Sequence, residues 1–184
     1  MGESLLVTLA LTYILGLLLF VPGVLRAIST KKKRSIADSE LPTITVLVCA
    51  RNEENSISKC ISSLAALDYP IEKIELLIVN DHSTDRTGAI LFEWKAKLPN
   101  LHILDTTDID TGLHGKANAL AQGFDVATGE IVLMTDADSR VPTGWAKEYV
   151  SWYDDETGMV ASITSIDGGN LFDACHSVEM VEVL

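Results

Sequence analysis

The chain has 184 residues, enough for one domain with a hydrophobic core, and its formal net charge is −12. From residue 35 onward only nine basic residues face 25 acidic ones, a balance that argues against a nucleic-acid-binding surface and implies that a phosphate-bearing ligand needs a metal ion. The three cysteines, Cys49, Cys60 and Cys175, are widely spaced, which favours reduced thiols over a disulfide framework or a zinc site.

The first predicted element is a membrane-spanning helix. Residues 5–28 are almost continuously apolar and as a helix would span about 36 Å, more than the roughly 30 Å of a hydrocarbon core. Four cations follow at 31–34, and the positive-inside rule then places the rest of the chain in the cytoplasm. We therefore predict a transmembrane anchor over 1–30 in the cell (inner) membrane and a basic, polar linker over 31–42. A buried core helix is the alternative.

From residue 43 to 184 short apolar runs alternate with stretches of helical spacing. The predicted strands are Ile44–Ala50, Ile74–Val79, Leu101–Leu104 and Ile131–Met134, with a possible further strand over Met159–Ile163. The predicted helices begin near Ile57, Thr87, Lys116 and Thr143, the first capped by Asn52 or Asn55, and 105–115 is predicted to be a loop. This alternation predicts an α/β fold with a mostly parallel, Rossmann-like sheet flanked by helices.

Polar clusters follow three of the predicted strands, and the carboxyl ends of parallel strands meet at one edge of a sheet. We therefore expect the residues after Ala50, Asp81 and the pair Asp136 and Asp138 to share one site. The two paired carboxylates are spaced i and i+2, on one side of an extended backbone, where they could ligate Mg²⁺ or Mn²⁺. A plain polar turn is the alternative for this Asp-x-Asp sequence.

Two common nucleotide-binding motifs are absent from the sequence. Gly115 and Lys116 resemble the end of a P-loop, but Ala117 stands where that motif needs Ser or Thr. No G-x-G-x-x-G follows the first strand, which argues against a dinucleotide dehydrogenase. What remains is an acidic site without a glycine-rich cradle, in which a metal ion and a lysine would hold the phosphate.

Five short motifs occur in order along the chain. They are V-C-A-R-N-E-E-N-S-I (48–57), L-D-Y-P (67–70), I-V-N-D-H-S-T-D-R-T (78–87), H-G-K-A-N-A-L (114–120) and M-T-D-A-D (134–138). In this order and spacing they resemble family 2 glycosyltransferases of the GT-A fold, over roughly 42–165. The resemblance implies inverting transfer of a sugar from a UDP- or GDP-sugar donor with Mg²⁺ or Mn²⁺. The predicted anchor suits a polysaccharide or lipid-linked glycan acceptor.

The resemblance also implies roles for individual residues. Carried over by motif, it assigns Ala50, Arg51, Asn52 and Glu53 to the nucleobase pocket, Asp81 to the base or ribose, Lys116 to the pyrophosphate, Asp136 to the ribose or metal, and Asp138 to the metal. Structural alternatives exist for three of them. Asp81 could cap the following helix, Glu53 could only favour a helix dipole, and Lys116 could be a solvated lysine at a helix start.

An inverting transferase also needs a general base to deprotonate the acceptor hydroxyl. In the family this carboxylate lies downstream of the metal motif, and processive members add a Q-x-x-R-W segment, which this chain lacks before it ends at Leu184. We therefore expect the anchor and donor-binding half of a longer enzyme, with the base outside the chain. Two alternatives stay open: a catalytically incomplete nucleotide-sugar-binding membrane protein, and a metal-dependent nucleotidyltransferase.

Overall fold

The computed structural model describes residues 7–9, 11–18, 20–22, 36–107, 112–154 and 156–161. The chain divides into two compact units, Met1–Ser35 and Ile36–Leu184. In the first unit the described residues are helical and exposed. Within the described part of the chain no helix is long and apolar enough to cross a membrane. The predicted span lies partly outside these residues, so the anchor stays a prediction.

The second unit alternates strands and helices in the predicted order. Its strands are β1 (Ile44–Ala50), β2 (Ile74–Asn80), β3 (Leu101–Asp105) and β4 (Ile131–Asp136). Its helices are α1 (Ile57–Ala65), α2 (Thr87–Lys95), α3 (Lys116–Val126) and α4 (Trp145–Val150), with 3₁₀ turns at Asp38–Glu40 and Ile71–Lys73. The possible strand near 159 is absent from its described part, 159–161, and its remainder lies outside the described residues, as does 108–111 of the predicted loop.

The four strands form one parallel sheet in the order β3-β2-β1-β4, which confirms the predicted fold class. In the register of the central strand, Ala50 lies opposite Asn80 of β2, and Cys49 lies opposite Asp136 of β4. The carboxyl ends of β1, β2 and β4 are therefore level to within one residue. This alignment brings the three polar clusters to the same edge.

Both faces of β1 are buried. Alternate side chains of a strand point to opposite faces of the sheet, so successive β1 residues pack in two different clusters. Val46 and Val48 pack in a cluster with residues of α1, α2 and α4, whereas Leu47 packs on the other face with Ala119 of α3. Gly123 allows α3 to lie close to the sheet, since a Cβ there would be 2.6 Å from the Leu47 Cδ1.

The predicted cap of α1 is wrong. Ser56 occupies the N-cap position, with no side-chain capping hydrogen bond, so neither Asn52 nor Asn55 caps the helix. The Asn52 side-chain oxygen instead accepts a hydrogen bond from the Thr84 backbone N–H at 2.8 Å. The Asn52 side chain thus joins two loops, whereas its residue type alone had suggested that it caps the neighbouring helix.

Candidate functional site

A cavity of about 320 Å³ opens at the carboxyl edge of the sheet. Its lining contains every residue that we predicted for the site except Asn52. The lining residues are Cys49, Ala50, Arg51, Glu53, Asp81, Lys116, Asp136, Ala137 and Asp138. The structure therefore gathers residues from 49 to 138 at one place, as the parallel topology led us to expect.

Asn52 positions the loop after β1 from outside the cavity. Its φ of 57° is in the left-handed region, which Asn adopts more readily than most residues. Its backbone N–H donates to the Ser83 hydroxyl at 3.1 Å, and its side chain accepts from the Thr84 N–H. Asn52 is therefore not among the residues that line the cavity, because these bonds direct its side chain to the β2–α2 loop, and its role in binding a donor stays a prediction.

The next two residues extend the contact between these loops. The Glu53 N–H donates to the Thr87 hydroxyl at 2.8 Å, and the Glu54 N–H donates to the Asp85 Oδ2 at 3.1 Å. The Glu54 carboxylate in turn accepts from the Arg86 N–H at 3.0 Å. Since both loops supply residues to the cavity lining, these hydrogen bonds fix the two parts of the lining relative to each other.

Asp81 is a buried carboxylate, and its side chain is only 10% exposed. Its Oδ1 accepts a hydrogen bond from the Thr106 hydroxyl at 3.2 Å and lies 3.0 Å from the His82 Nδ1. Its Oδ2 lies 3.6 Å from the Arg51 Nη1. Because these contacts face the cavity and β3, Asp81 does not cap α2. Asp85 instead accepts from the N–H of Thr87, the first residue of α2.

Lys116 and Asp136 form an ion pair across the cavity, with Nζ 2.5 Å from Oδ1. Lys116 opens α3, directly after Gly115, whose φ of 56° suits a residue without a Cβ. The hydrogen bond to Asp136 raises the pKa of Lys116, so its ammonium stays charged to higher pH than usual. A cation thus lies beside the carboxylates, which is a suitable arrangement for a phosphate.

Asp136 ends β4, and Asp138 lies in the turn that follows; both are exposed, whereas Ala137 between them is buried. Within the described ranges, no group of three or more His, Cys, Asp or Glu side chains could by itself hold a metal ion. Protein sites for Mg²⁺ commonly use one or two carboxylates, and substrate phosphates and water complete the shell. The two carboxylates fit such a partial ligand set.

A second cavity, of about 530 Å³, adjoins the first and shares Cys49, Lys116 and Asp136 with it. It continues along β4 to Arg140 and to the α4 aromatic pair Trp145 and Tyr149, whose ring centroids are 5.1 Å apart. No sequence pattern assigned Cys49 or Arg140 to a site. Because Cys49 lies one residue before the end of β1, its position in the sequence could have indicated that it lies at this edge of the sheet.

Comparison with known proteins identifies the family. Residues 45–179 match the sequence model described as Glycosyl transferase family 2. The chain belongs to this family. It is 38% identical over 133 residues to a beta-monoglucosyldiacylglycerol synthase of Nostoc, covering 72% of this chain and 27% of that protein. It is 36% identical over 113 residues to a poly-beta-1,6-N-acetyl-D-glucosamine synthase of Staphylococcus aureus, covering 61% of this chain and 26% of that one.

A solved structure supports the same placement of this family 2 chain. The mannosyltransferase PcManGT from Pyrobaculum calidifontis, solved in complex with GDP-Man and Mn²⁺, aligns with a TM-score of 0.69 and 29% identity. The alignment covers 82% of this chain and 44% of that one. The chain spans about a quarter of the length of the curated relatives described above.

Proposed function

We propose that this chain binds a UDP- or GDP-linked sugar and forms the donor site of an inverting, metal-dependent glycosyltransferase. The observation that carries the proposal is the cavity in which Lys116 pairs with Asp136 while Asp138 lies on the same lining. The solved mannosyltransferase similar to this chain holds GDP-Man and Mn²⁺, which supports the same ligand class here.

The charges of the cavity favour a diphosphate bound together with a metal ion. Four carboxylates and two cations line the cavity, so a free diphosphate would be repelled. A Mg²⁺ or Mn²⁺ ion on Asp136 and Asp138 would offset the charge that develops on the nucleoside diphosphate as it leaves. Lys116 would donate a charge-assisted hydrogen bond to a phosphate oxygen. It would also orient the diphosphate relative to the two carboxylates.

The nucleoside would lie against the part of the lining built from the β1 and β2 ends. Asp81, held by Thr106 and close to Arg51, is placed to accept a hydrogen bond from a ribose hydroxyl or a base N–H. Ala50 and Glu53 lie beside it in the lining. Because the loop contacts fix these residues before a ligand arrives, little ordering is needed when the nucleoside binds.

The acceptor and the membrane setting belong to the same proposal. The apolar stretch followed by four cations supports an anchor in the inner membrane with the donor site on the cytoplasmic side. One relative is named for a glucosyldiacylglycerol and another for a polymer of N-acetylglucosamine. Both names support a lipid-linked or polysaccharide acceptor.

Calorimetric titration of the full chain in detergent tests the donor site. The titrants are UDP, GDP and their sugars, each with and without Mn²⁺. The proposal predicts Mn²⁺-dependent binding of one nucleotide and its sugar, and absence of binding to all of them would contradict it. Tighter binding of a nucleoside triphosphate, with release of pyrophosphate, would favour a nucleotidyltransferase. Donor binding without sugar transfer to any acceptor would favour the incomplete binding protein.

A further inference from the structure

A shallow groove of about 450 Å³ lies on the outer surface of α1, apart from the donor cavity. It is lined by Ser58, Lys59, Ser62, Ser63, Trp94 and Arg140, which include no carboxylate. The four α1 residues fall at spacings of one and four, so they share one side of the helix. The other side of α1 carries the buried residues of the core. The groove is therefore a largely polar surface on the side of α1 opposite its buried residues.

The two cations of the groove are not neutralised by the protein. Among the described residues, the side chains of Lys59 and Arg140 have no ion-pair or hydrogen-bond partner. Four other cations of this unit, Arg51, Lys73, Lys116 and Lys147, are held by carboxylates or carbonyl oxygens. In so acidic a chain, two unpaired cations beside one groove form a local site for an anion.

Two hydroxyls of the groove, those of Ser58 and Ser62, can donate to a ligand, whereas the Ser63 hydroxyl already donates to the Cys60 carbonyl oxygen at 2.8 Å. The Trp94 indole N–H donates to the Ser58 hydroxyl at 3.1 Å, so that hydroxyl keeps its own proton for another acceptor. Ser63 accepts from the Val141 N–H at 3.2 Å, which fixes the backbone next to Arg140 against α1. The Ser62 hydroxyl is exposed on the same side. Donors and cations without a carboxylate suit a ligand that only accepts hydrogen bonds.

We propose that this groove binds a phosphate group, carried by an anionic phospholipid head or by a soluble phosphate. Lys59 and Arg140 supply the charge, and the Ser58 and Ser62 hydroxyls supply further hydrogen bonds. The Trp94 ring forms an apolar wall, and the Lys97 Nζ lies 5.1 Å from its centroid. Arg140 also lines the larger cavity beside the proposed donor site, so a phosphate bound here would lie next to that cavity.

The full chain, labelled with 5-fluorotryptophan and held in maltoside micelles, allows a direct test. It contains three tryptophans, and Trp94→Phe assigns the groove resonance in the ¹⁹F spectrum. The probes are potassium phosphate, phosphatidylglycerol added to the micelles, and potassium chloride at matched ionic strength. We expect a saturable shift of the Trp94 resonance with phosphate or with phosphatidylglycerol, and none with chloride. A shift with only one of the two identifies the source of the phosphate.

Charge variants separate a built site from general attraction. Lys59→Ala or Arg140→Ala should weaken the apparent affinity about tenfold, the effect of losing one charge-assisted hydrogen bond. Lys95→Ala, which removes an exposed α2 lysine outside the groove, should leave it unchanged. No shift with either probe, or an equal loss in Lys95→Ala, overturns the proposal. Lys59→Ala should still bind nucleotide in an Mn²⁺-dependent manner. Nucleotide binding therefore tests the proposed donor site separately from the groove.

Discussion

Lys116 and Asp136 are paired at 2.5 Å although their side chains are 63% and 61% exposed. An exposed ion pair contributes only about 0–1 kcal/mol to stability, so the fold does not depend on this contact. The pair instead joins the first residue of α3 to the last residue of β4 across the cavity at the sheet edge. A charged ligand can exchange places with either partner at little cost in stability.

The first prediction concerns the phosphate role of Lys116. Lys116→Ala should weaken binding of UDP or GDP about tenfold or more, because a charge-assisted hydrogen bond to the diphosphate is lost. Binding of uridine or guanosine should change little. Calorimetry on each ligand measures both effects, and Lys95→Ala serves as the control. Equal losses for nucleoside and diphosphate would make Lys116 a structural residue.

The second prediction concerns the thiol of Cys49, which lines both cavities at the sheet edge. Burial raises its pKa to about 11 from the usual 9.0, so about a hundredfold less thiolate should be present near neutral pH than for a free cysteine. Alkylation by iodoacetamide should be slow at pH 7 and should accelerate towards pH 11. Nucleotide with Mn²⁺ should slow it further.

Peptide mapping by mass spectrometry distinguishes Cys49 from the buried Cys60, whose pKa burial raises to about 12. If Cys49 were alkylated at the rate of a free thiol, the conclusion that burial raises its pKa would be contradicted. If bound nucleotide left the rate of Cys49 alkylation unchanged, the nucleotide would have to bind away from this cavity.

Local patterns in the sequence predicted the strands well, whereas contacts between distant residues escaped prediction. β1 was predicted with its observed bounds, because an apolar, β-branched run buried on both faces is visible within one window. The hydrogen bond from Thr84 to Asn52 joins residues 32 positions apart, and no local pattern encodes it. The α1 groove was missed for the same reason, since Arg140 joins the α1 serines only through the fold.

The third prediction concerns the pH dependence of stability at Glu75. Burial would raise the pKa of this carboxyl, but hydrogen bonds from Thr45 and Thr128 outweigh burial and lower it from the usual 4.5. Because the folded pKa lies below the unfolded one, the stabilisation is present above pH 4.5 and is lost as the pH falls through the folded pKa.

Glu75→Gln should therefore lower the free energy of unfolding by about 1 kcal/mol near neutral pH. The difference from the unsubstituted chain should shrink at about pH 3. Urea unfolding at both pH values measures it, with the exposed Glu93→Gln on α2 as the control. If the difference in free energy of unfolding between the two proteins grew on acidification, the prediction would be contradicted.

The fourth prediction concerns Gly129, which precedes β4. A Cβ at this position would lie 2.3 Å from the Thr45 N and 2.4 Å from the Ile44 carbonyl carbon, and backbone atoms of a central strand cannot move aside. Gly129→Ala should lower the free energy of unfolding by about 3 kcal/mol. Gly144→Ala, where a Cβ meets open space, should be nearly neutral. Equal stabilities of the two variants in urea would contradict the packing argument.

The fifth prediction concerns Asp138, the proposed metal ligand, and it is the most direct test of the donor site. Asp138 is exposed, so Asp138→Asn should leave the free energy of unfolding nearly unchanged while removing one of two carboxylate ligands. Asp125→Asn, an exposed substitution on α3, is the matched control. The measurement is calorimetric titration of each full-length variant with the preferred nucleoside diphosphate, with and without Mn²⁺.

We expect Mn²⁺ to strengthen binding to the unsubstituted chain and to Asp125→Asn, and we expect this effect of Mn²⁺ to disappear in Asp138→Asn. An unchanged Mn²⁺ dependence in Asp138→Asn would contradict the proposal that Asp138 holds the metal ion of the donor site.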